Sequence, residues 1–384
     1  MRASGHAFEC KWPVGFLGWE GRIILQWADS TPLLSNHIFP AASTAFTAYP
    51  TPMLGTNYCV MARASSIFGK SYHSQFAVVG TVANTTVTIT PSTNAGLAGS
   101  MWTNSFILNQ GDTYQINSSN IEGDVTGTWI TSDKPIAVFA GAELAYVPSQ
   151  YTQASNPLNQ EQLPVEQWGT NVVAMSFAGR LNGDTYRILS AESSNIVTIS
   201  GIVVTVISYG QPWTVTTNYE TLTTNLTAGL PCDLILDGPV QFQSAKPIQV
   251  AQFANGAESD YVTNTHGIAG EGDPCEILLP PTGQWMNSYT VYTSTNDLDE
   301  VIGDFDENFL NLIVPQSATN AVSLDGSLVA ATNFVAIGSS GYYAVQLVIT
   351  NSGAHTVTSS QPVEVQVYGW GLQDAYSYFG GIVK

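Results

Sequence analysis

The feature that most constrains this chain is an internal repeat. Ile130-Thr131-Ser132-Asp133-Lys134-Pro135-Ile136-Ala137-Val138 recurs as Phe242-Gln243-Ser244-Ala245-Lys246-Pro247-Ile248-Gln249-Val250, and again as Val357-Thr358-Ser359-Ser360-Gln361-Pro362-Val363-Glu364-Val365. The prolines lie 112 and 115 residues apart. A fainter fourth version is Ala28-Asp29-Ser30-Thr31-Pro32-Leu33. Other anchors keep the spacing: Phe76-Ala77-Val78-Val79 and Val87-Thr88-Ile89 match Tyr186-Arg187-Ile188-Leu189 and Val197-Thr198-Ile199, both offset by 110. Trp168 and Trp285 each follow a Leu-Pro element, 117 residues apart. Repeats of this kind mean one supersecondary unit copied along the chain.

Each copy reads as strands. Val87 and Ile89 alternate with Thr86, Thr88 and Thr90, the period of a half-buried strand. Asn84-Thr85 and Ser194-Asn195 fall where a hairpin turn is needed. A proline entering a strand withholds its missing N–H where that matters least. Six or seven short strands in about 110 residues is a sandwich pattern. The expected fold is therefore all-β, with tandem β-sandwich-like units. The expected divisions are 1–50 (a truncated N-terminal part), 51–150, 151–265 and 266–384. A β-propeller is the alternative, although this period is long for one blade.

Composition narrows the function. Hydrophobic residues make up 44% and charged residues 10%, which excludes a disordered chain. The net charge is −19, with ten Lys and Arg and no basic cluster. Nucleic acid needs several cations on one face, so it is excluded as a partner. No apolar stretch is long enough for a membrane-spanning helix. Residues 1–15 lack a signal-peptide pattern, so a secreted chain would have lost its signal or be a fragment. Cys10, Cys59, Cys232 and Cys275 show no CxxC spacing; disulfides and buried thiols both remain open.

The chain resembles the family of the IgGFc-binding protein N-terminal domain. The resemblance rests on Met53-Leu54-Gly55-Thr56-Asn57-Tyr58, Ser132-Asp133-Lys134-Pro135-Ile136, Glu161-Gln162-Leu163-Pro164, Gly183-Asp184-Thr185-Tyr186-Arg187, Gly272-Asp273-Pro274 and Tyr368-Gly369-Trp370-Gly371, in that order. It implies an extracellular or cell-surface binding protein that is not an enzyme and needs no cofactor. Two cysteines common in the family are here Leu144 and Asn156. If relatives link them, residues 145–160 are expected to be looser in this chain, for want of about 2–4 kcal/mol of loop constraint.

Few residues point to chemistry. Asp297, Asp299, Glu300, Asp304, Asp306 and Glu307 form the densest acidic run, a candidate calcium loop without the EF-hand order. The five histidines form no metal-binding pair, and His355 reads as structural. Asp184, Arg187 and Arg180 read as a local ion pair fixing a turn. The glycine-rich run 267–272 lacks the Lys of a phosphate loop and carries Glu271. No GxSxG nucleophile elbow occurs. Asn84, Asn117 and Asn225 open Asn-x-Ser/Thr triplets. Tyr146, Tyr151 and Tyr261 follow the Lys-Pro strands and are candidate ligand contacts. The first expectation is adhesion to a protein or glycan at a surface or matrix. A structural stalk and, third, a carbohydrate-active enzyme are the rivals.

Overall fold

The computed structural model describes residues 24–29, 42–65, 72–93, 103–119, 122–148, 154–208, 214–259, 272–294, 305, 307–371 and 374–383. Strands and single 3-10 turns make up its regular structure, so the chain is all-β. The fourth, fainter repeat around Pro32 lies outside the described residues.

An antiparallel pair comes first, β1 (Ile24–Asp29) with β2 (Ala42–Thr47). The first full set is β3 (Gly55–Cys59), β4 (Ser74–Gly80), β5 (Thr85–Thr90), β6 (Asn104–Leu108), β7 (Thr113–Asn117), β8 (Trp129–Tyr146) and β9 (Ser155–Glu161). Long β8 organises it. Ile130 lies between Tyr58 of β3 and Ile89 of β5. Beyond Pro135 the same strand pairs with β4, Val138 against Val78, and with β9, Phe139 against Glu161. One strand thus serves two layers and changes partners at the proline, where the ladder has no N–H to lose. Tyr58, Phe76, Val78, Val87, Ile89, Ile130, Ile136 and Val138 fill the space between the layers.

The next set is β10 (Gly169–Met175), β11 (Asp184–Ser190), β12 (Asn195–Ser208), β13 (Thr214–Leu226), β14 (Cys232–Phe253) and β15 (Glu276–Leu279). Phe242 of β14 pairs with Val172 and Ile199; beyond Pro247, Val250 pairs with Ile188 and Leu279. The last set is β16 (Met286–Thr293), β17 (Glu307–Pro315), β18 (Val322–Leu324), β19 (Ser327–Leu328), β20 (Val335–Ala336), β21 (Tyr342–Ile349), β22 (Gly353–Gly371) and β23 (Asp374–Phe379). Before Pro362, β22 pairs with β16 and β18; after it, with β17 and β23, apart from one last pairing of Val363 with Met286 of β16. This plan is not that of four-stranded propeller blades. The closing strands β9 and β15 belong to the first and second sheets, although they lie past the expected divisions at 150 and 265.

The three prolines share the change of strand partners, and the contacts around them recur in pairs. Ser132 Oγ donates to Lys134 O at 2.7 Å, and Ser244 Oγ to Lys246 O at 2.6 Å. Lys134 Nζ caps the hairpin carbonyls of Ala83 and Asn84 at 2.7 and 2.8 Å, and Lys246 Nζ caps Ser193 O at 2.9 Å. Just past the proline, Tyr58 OH donates to Ile136 O at 2.6 Å and Tyr289 OH to Val363 O at 2.5 Å.

The sets meet through their closing strands. β2 lies against β9 and β23, and β15 lies against the same two. Gln160 Nε2 donates to Ala45 O at 3.0 Å and to Glu276 O at 2.6 Å, tying three of the strands. Ser377 Oγ donates to Glu276 O at 3.0 Å, and Thr47 Oγ1 donates to Phe379 O. After β2, β9 and β15 a proline (Pro50, Pro164, Pro281) leads into a 3-10 turn. The next glycine packs on the following proline. A Cβ on Gly55 would come within 2.5 Å of Pro164 Cβ, and one on Gly169 within 2.3 Å of Pro281 Cβ. Overpacking of this kind costs about 1–3 kcal/mol. Gly169→Ala is therefore expected to lower the denaturant midpoint, while Gly283→Ala, with open space around it, leaves the midpoint near wild type.

Within the segment 145–160 the described residues continue the ladder between β8 and β9. Ala145 pairs with Asn156, which is buried and donates from Nδ2 to Ala375 O at 3.0 Å. The carboxamide ties β9 to β23. Residues 149–153 lie outside the described residues.

Candidate binding surface

The second strand of each set shows how neighbouring sets are gripped. Ala77, Arg187 and Asn311 occupy the same place, each registered with the residue four past its proline: Phe139, Ala251 and Gln366. Arg187 does not fix a local turn. Its Nε and Nη2 bind the two oxygens of Asp233 at 2.8 Å each, and Nη1 reaches Asp124 Oδ2 at 2.7 Å and Ala62 O at 2.6 Å in the first set. Asn311 Nδ2 donates to Met175 O and Ser176 O at 3.2 and 3.1 Å, and Gln346 Nε2 to Ser176 O at 2.7 Å. Each later set thus holds main-chain carbonyls of the set before it. Burial raises the Asp124 and Asp233 carboxyls, but Arg187, together with hydrogen bonds from Thr126 at Asp124 and the charge of Arg63 at Asp233, outweighs it and holds both below the ordinary aspartate range.

A second arginine device brings loops together. Arg63 Nη2 donates to Pro148 O at 2.5 Å, and its guanidinium lies 5.3 Å from the centre of the Phe253 ring. Arg180 Nη2 donates to Gly272 O at 2.9 Å and lies 4.3 Å from the centre of the Trp370 ring. Main-chain bonds seal the same places: Gly256 N to Val147 O at 2.8 Å and Gly272 N to Gly371 O at 2.8 Å. Asn182 Nδ2 adds a bond to Ser259 O at 2.7 Å. The chain segments that leave β8, β14 and β22 therefore lie side by side at one end of the protein.

Tyr146 stands half-buried at that end, the last residue of β8. Tyr151 and Tyr261 lie outside the described residues, in the segments that depart from it. Asp297, Asp299, Glu300, Asp304 and Asp306 also lie outside; Glu307 opens β17. Among the described residues, no three His, Cys, Asp or Glu side chains are placed to hold a metal ion. His355 is buried as a structural residue, Nδ1 2.8 Å from Asp325 Oδ2 and Nε2 2.9 Å from Asn351 O. Cys59, Cys232 and Cys275 are free thiols, and burial pushes Cys59 and Cys275 up to about 12. Cys10 lies outside the described residues.

The five described cations are all engaged internally: Arg63, Arg180 and Arg187 in junctions, Lys134 and Lys246 on hairpin turns. The described surface therefore carries acids without free cations. No helix among the described residues is long and apolar enough to cross a membrane. The arginine network had no local signal, since its members span residues 63 to 233. Arg63 and Arg180, however, both follow the first strand of a set, and aligning the repeats would have paired them.

The family model for the IgGFc binding protein matches residues 44–369, most of the chain. The chain belongs to the IgGFc binding protein family. Comparison with curated proteins and with solved structures found no match. Membership in the IgGFc binding protein family places the chain among binding proteins. The match starts within β2 and ends within β22, so it covers the first two full sets of strands and the third except β23 and the end of β22.

Proposed function

We propose that the chain is an extracellular, non-enzymatic recognition module that holds a protein or glycan at the end where its long-strand loops meet. One observation carries this: loops from successive sets are bonded edge to edge there, Val147 to Gly256 and Gly272 to Gly371. Functional contacts concentrate on loops held by a rigid scaffold, and this scaffold presents several of them together. Tyrosines suit such contacts because a large ring is ordered at little entropic cost. Tyr146, Tyr151 and Tyr261 are the contacts assigned.

The test is a glycan and protein array probed with the purified chain, in calcium and in chelator. The triple variant Tyr146→Ala, Tyr151→Ala, Tyr261→Ala is expected to lose its signal at least about tenfold, equivalent to about 1.4 kcal/mol. Lys134→Ala, before the proline bend of β8 and away from the loop end, should leave the signal unchanged. Full binding by the triple variant would remove the loop end from the function. A signal lost only in chelator would assign calcium to the acidic run 297–307. A silent array would favour the stalk reading.

A further inference from the structure

The three Asn-x-Ser/Thr triplets are all exposed, but the fold treats them differently. Asn117 is engaged: Nδ2 donates to Glu143 Oε1 at 2.9 Å and Oδ1 accepts from Gln115 Nε2 at 3.3 Å. Asn84 sits in the β4–β5 hairpin at φ 54°, where its main-chain N–H donates to Asn109 Oδ1 and its carbonyl accepts from Lys134 Nζ. Among the described hydrogen bonds, none uses the side chain of Asn84 or Asn225.

Asn225 also occupies a telling place. It lies on β13, at the end of the strand order of the second sheet, which among the described residues pairs with β12 alone. That strand runs 13 residues, and every residue from 216 to 221 is exposed. An open edge of this length is a template for unwanted strand pairing, and proteins usually blunt it with lysine, proline or a bulge. β13 has no Lys and no Pro, and its single charge is Glu220. A bulky hydrophilic group at Asn225 would supply the missing protection.

Both free sites face away from the loop end. β4 runs from Ser74, opposite Ala142, to Gly80, opposite Ile136 at the proline bend. Asn84 follows in the next turn, about 20 Å from the loop end at ~3.3 Å per residue. Asn225 lies one residue from Leu226, whose partner Asn195 is in the corresponding hairpin of the second set. Glycans at these positions would leave the loop end free.

We propose that Asn225 and Asn84 carry N-linked glycans, and that the one on Asn225 shields the open edge of the second sheet. The proposal rests on the extracellular reading of the protein. In the transfer, the side-chain nitrogen Nδ2 bonds to the anomeric carbon of an oligosaccharide carried on a polyprenyl diphosphate. The bond from that carbon to the diphosphate oxygen breaks, the diphosphate leaves with the electron pair, and the amide loses one proton.

The full chain, behind a cleavable secretion signal, would be made in eukaryotic cells and treated with peptide N-glycosidase in heavy-oxygen water. Asn-to-Asp conversion with label is expected at Asn84 and Asn225 and not at Asn117. The Asn225→Gln protein is then expected to self-associate at least severalfold more strongly by analytical ultracentrifugation, while Asn84→Gln stays like wild type. Secreted, folded protein without label at Asn84 and Asn225, or with label at Asn117 alone, overturns the sites. Label at Asn225 with an Asn225→Gln protein no more associated than wild type overturns the shielding. Neither result bears on the loop-end reading, which the array decides separately.

Discussion

Arg187→Met is expected to lower the unfolding free energy by about 3 kcal/mol, near the low end for breaking a buried ion pair. The substitution keeps much of the side chain's length and removes five hydrogen bonds, three of which join two sets of strands. Asp124 and Asp233 would be left without their main counter-charge. Asp124 is well covered, with 16% of its side chain exposed, while Asp233 at 38% is partly rescued by water. That difference keeps the figure from the upper end of the range. Arg187→Lys should recover less than half, since an ammonium cannot serve two carboxylates and a carbonyl in this fork geometry. Arg187→Met combined with Asp124→Asn should be more stable than Arg187→Met alone. Urea unfolding of the four proteins measures this, and an Arg187→Met loss below about 1 kcal/mol would sink the claim that the network secures the junction.

The second large effect is on pH dependence. Glu161, Glu276 and Glu364 are almost fully buried, and burial pushes each carboxyl up to about 8. Arg187 and Arg63 pull Glu276 the other way without cancelling its burial. Among the described residues Glu276 has no hydrogen-bond partner on either oxygen, while Glu364 accepts from Gln366 Nε2 at 2.8 Å. An unfolded chain releases these protons near pH 4.3. Between there and pH 8 the folded state holds protons that the unfolded state does not, so stability falls as pH rises through that interval. Asp124 and Asp233 act oppositely: their contribution is present above about pH 3.9 and is lost as pH falls through their depressed values. Greatest stability is therefore expected near pH 5. A tenfold difference in proton affinity between folded and unfolded chain is worth about 1.4 kcal/mol, so the melting temperature should drop by several degrees or more between pH 5 and 8.5. Glu364→Gln should flatten part of that slope. A melting temperature that holds steady or rises over this interval would contradict the burial of these acids.

Much of the fold was legible because its signals are local. Each proline marks the point where a long strand changes layers, and the residues that make that bend possible are its immediate neighbours. Ser132 and Lys134 satisfy the turn within a few residues or in the adjoining hairpin. The alternation of Val87 and Ile89 with threonines told which face is buried, because strand geometry alone dictates it. The candidate surface was legible only in part. Tyr146 does stand at the end where loops meet, and the loops after successive Lys-Pro strands do come together. The means by which they come together could not be read in advance. Arg63 and Arg180 each act on a ring in the following set, 190 residues further along.

Amino-acid order alone determined an acidic, strand-built chain with a motif recurring at about 110 residues, since turn chemistry and side-chain alternation depend on near neighbours. Tertiary structure alone decided that Gln160 would tie three closing strands, that Arg187 would serve a carboxylate in another set, and that three glutamates would be buried among them. Those outcomes depend on which surfaces meet when the sets pack, and burial, charge pairing and proton affinity take their values only after that contact is made.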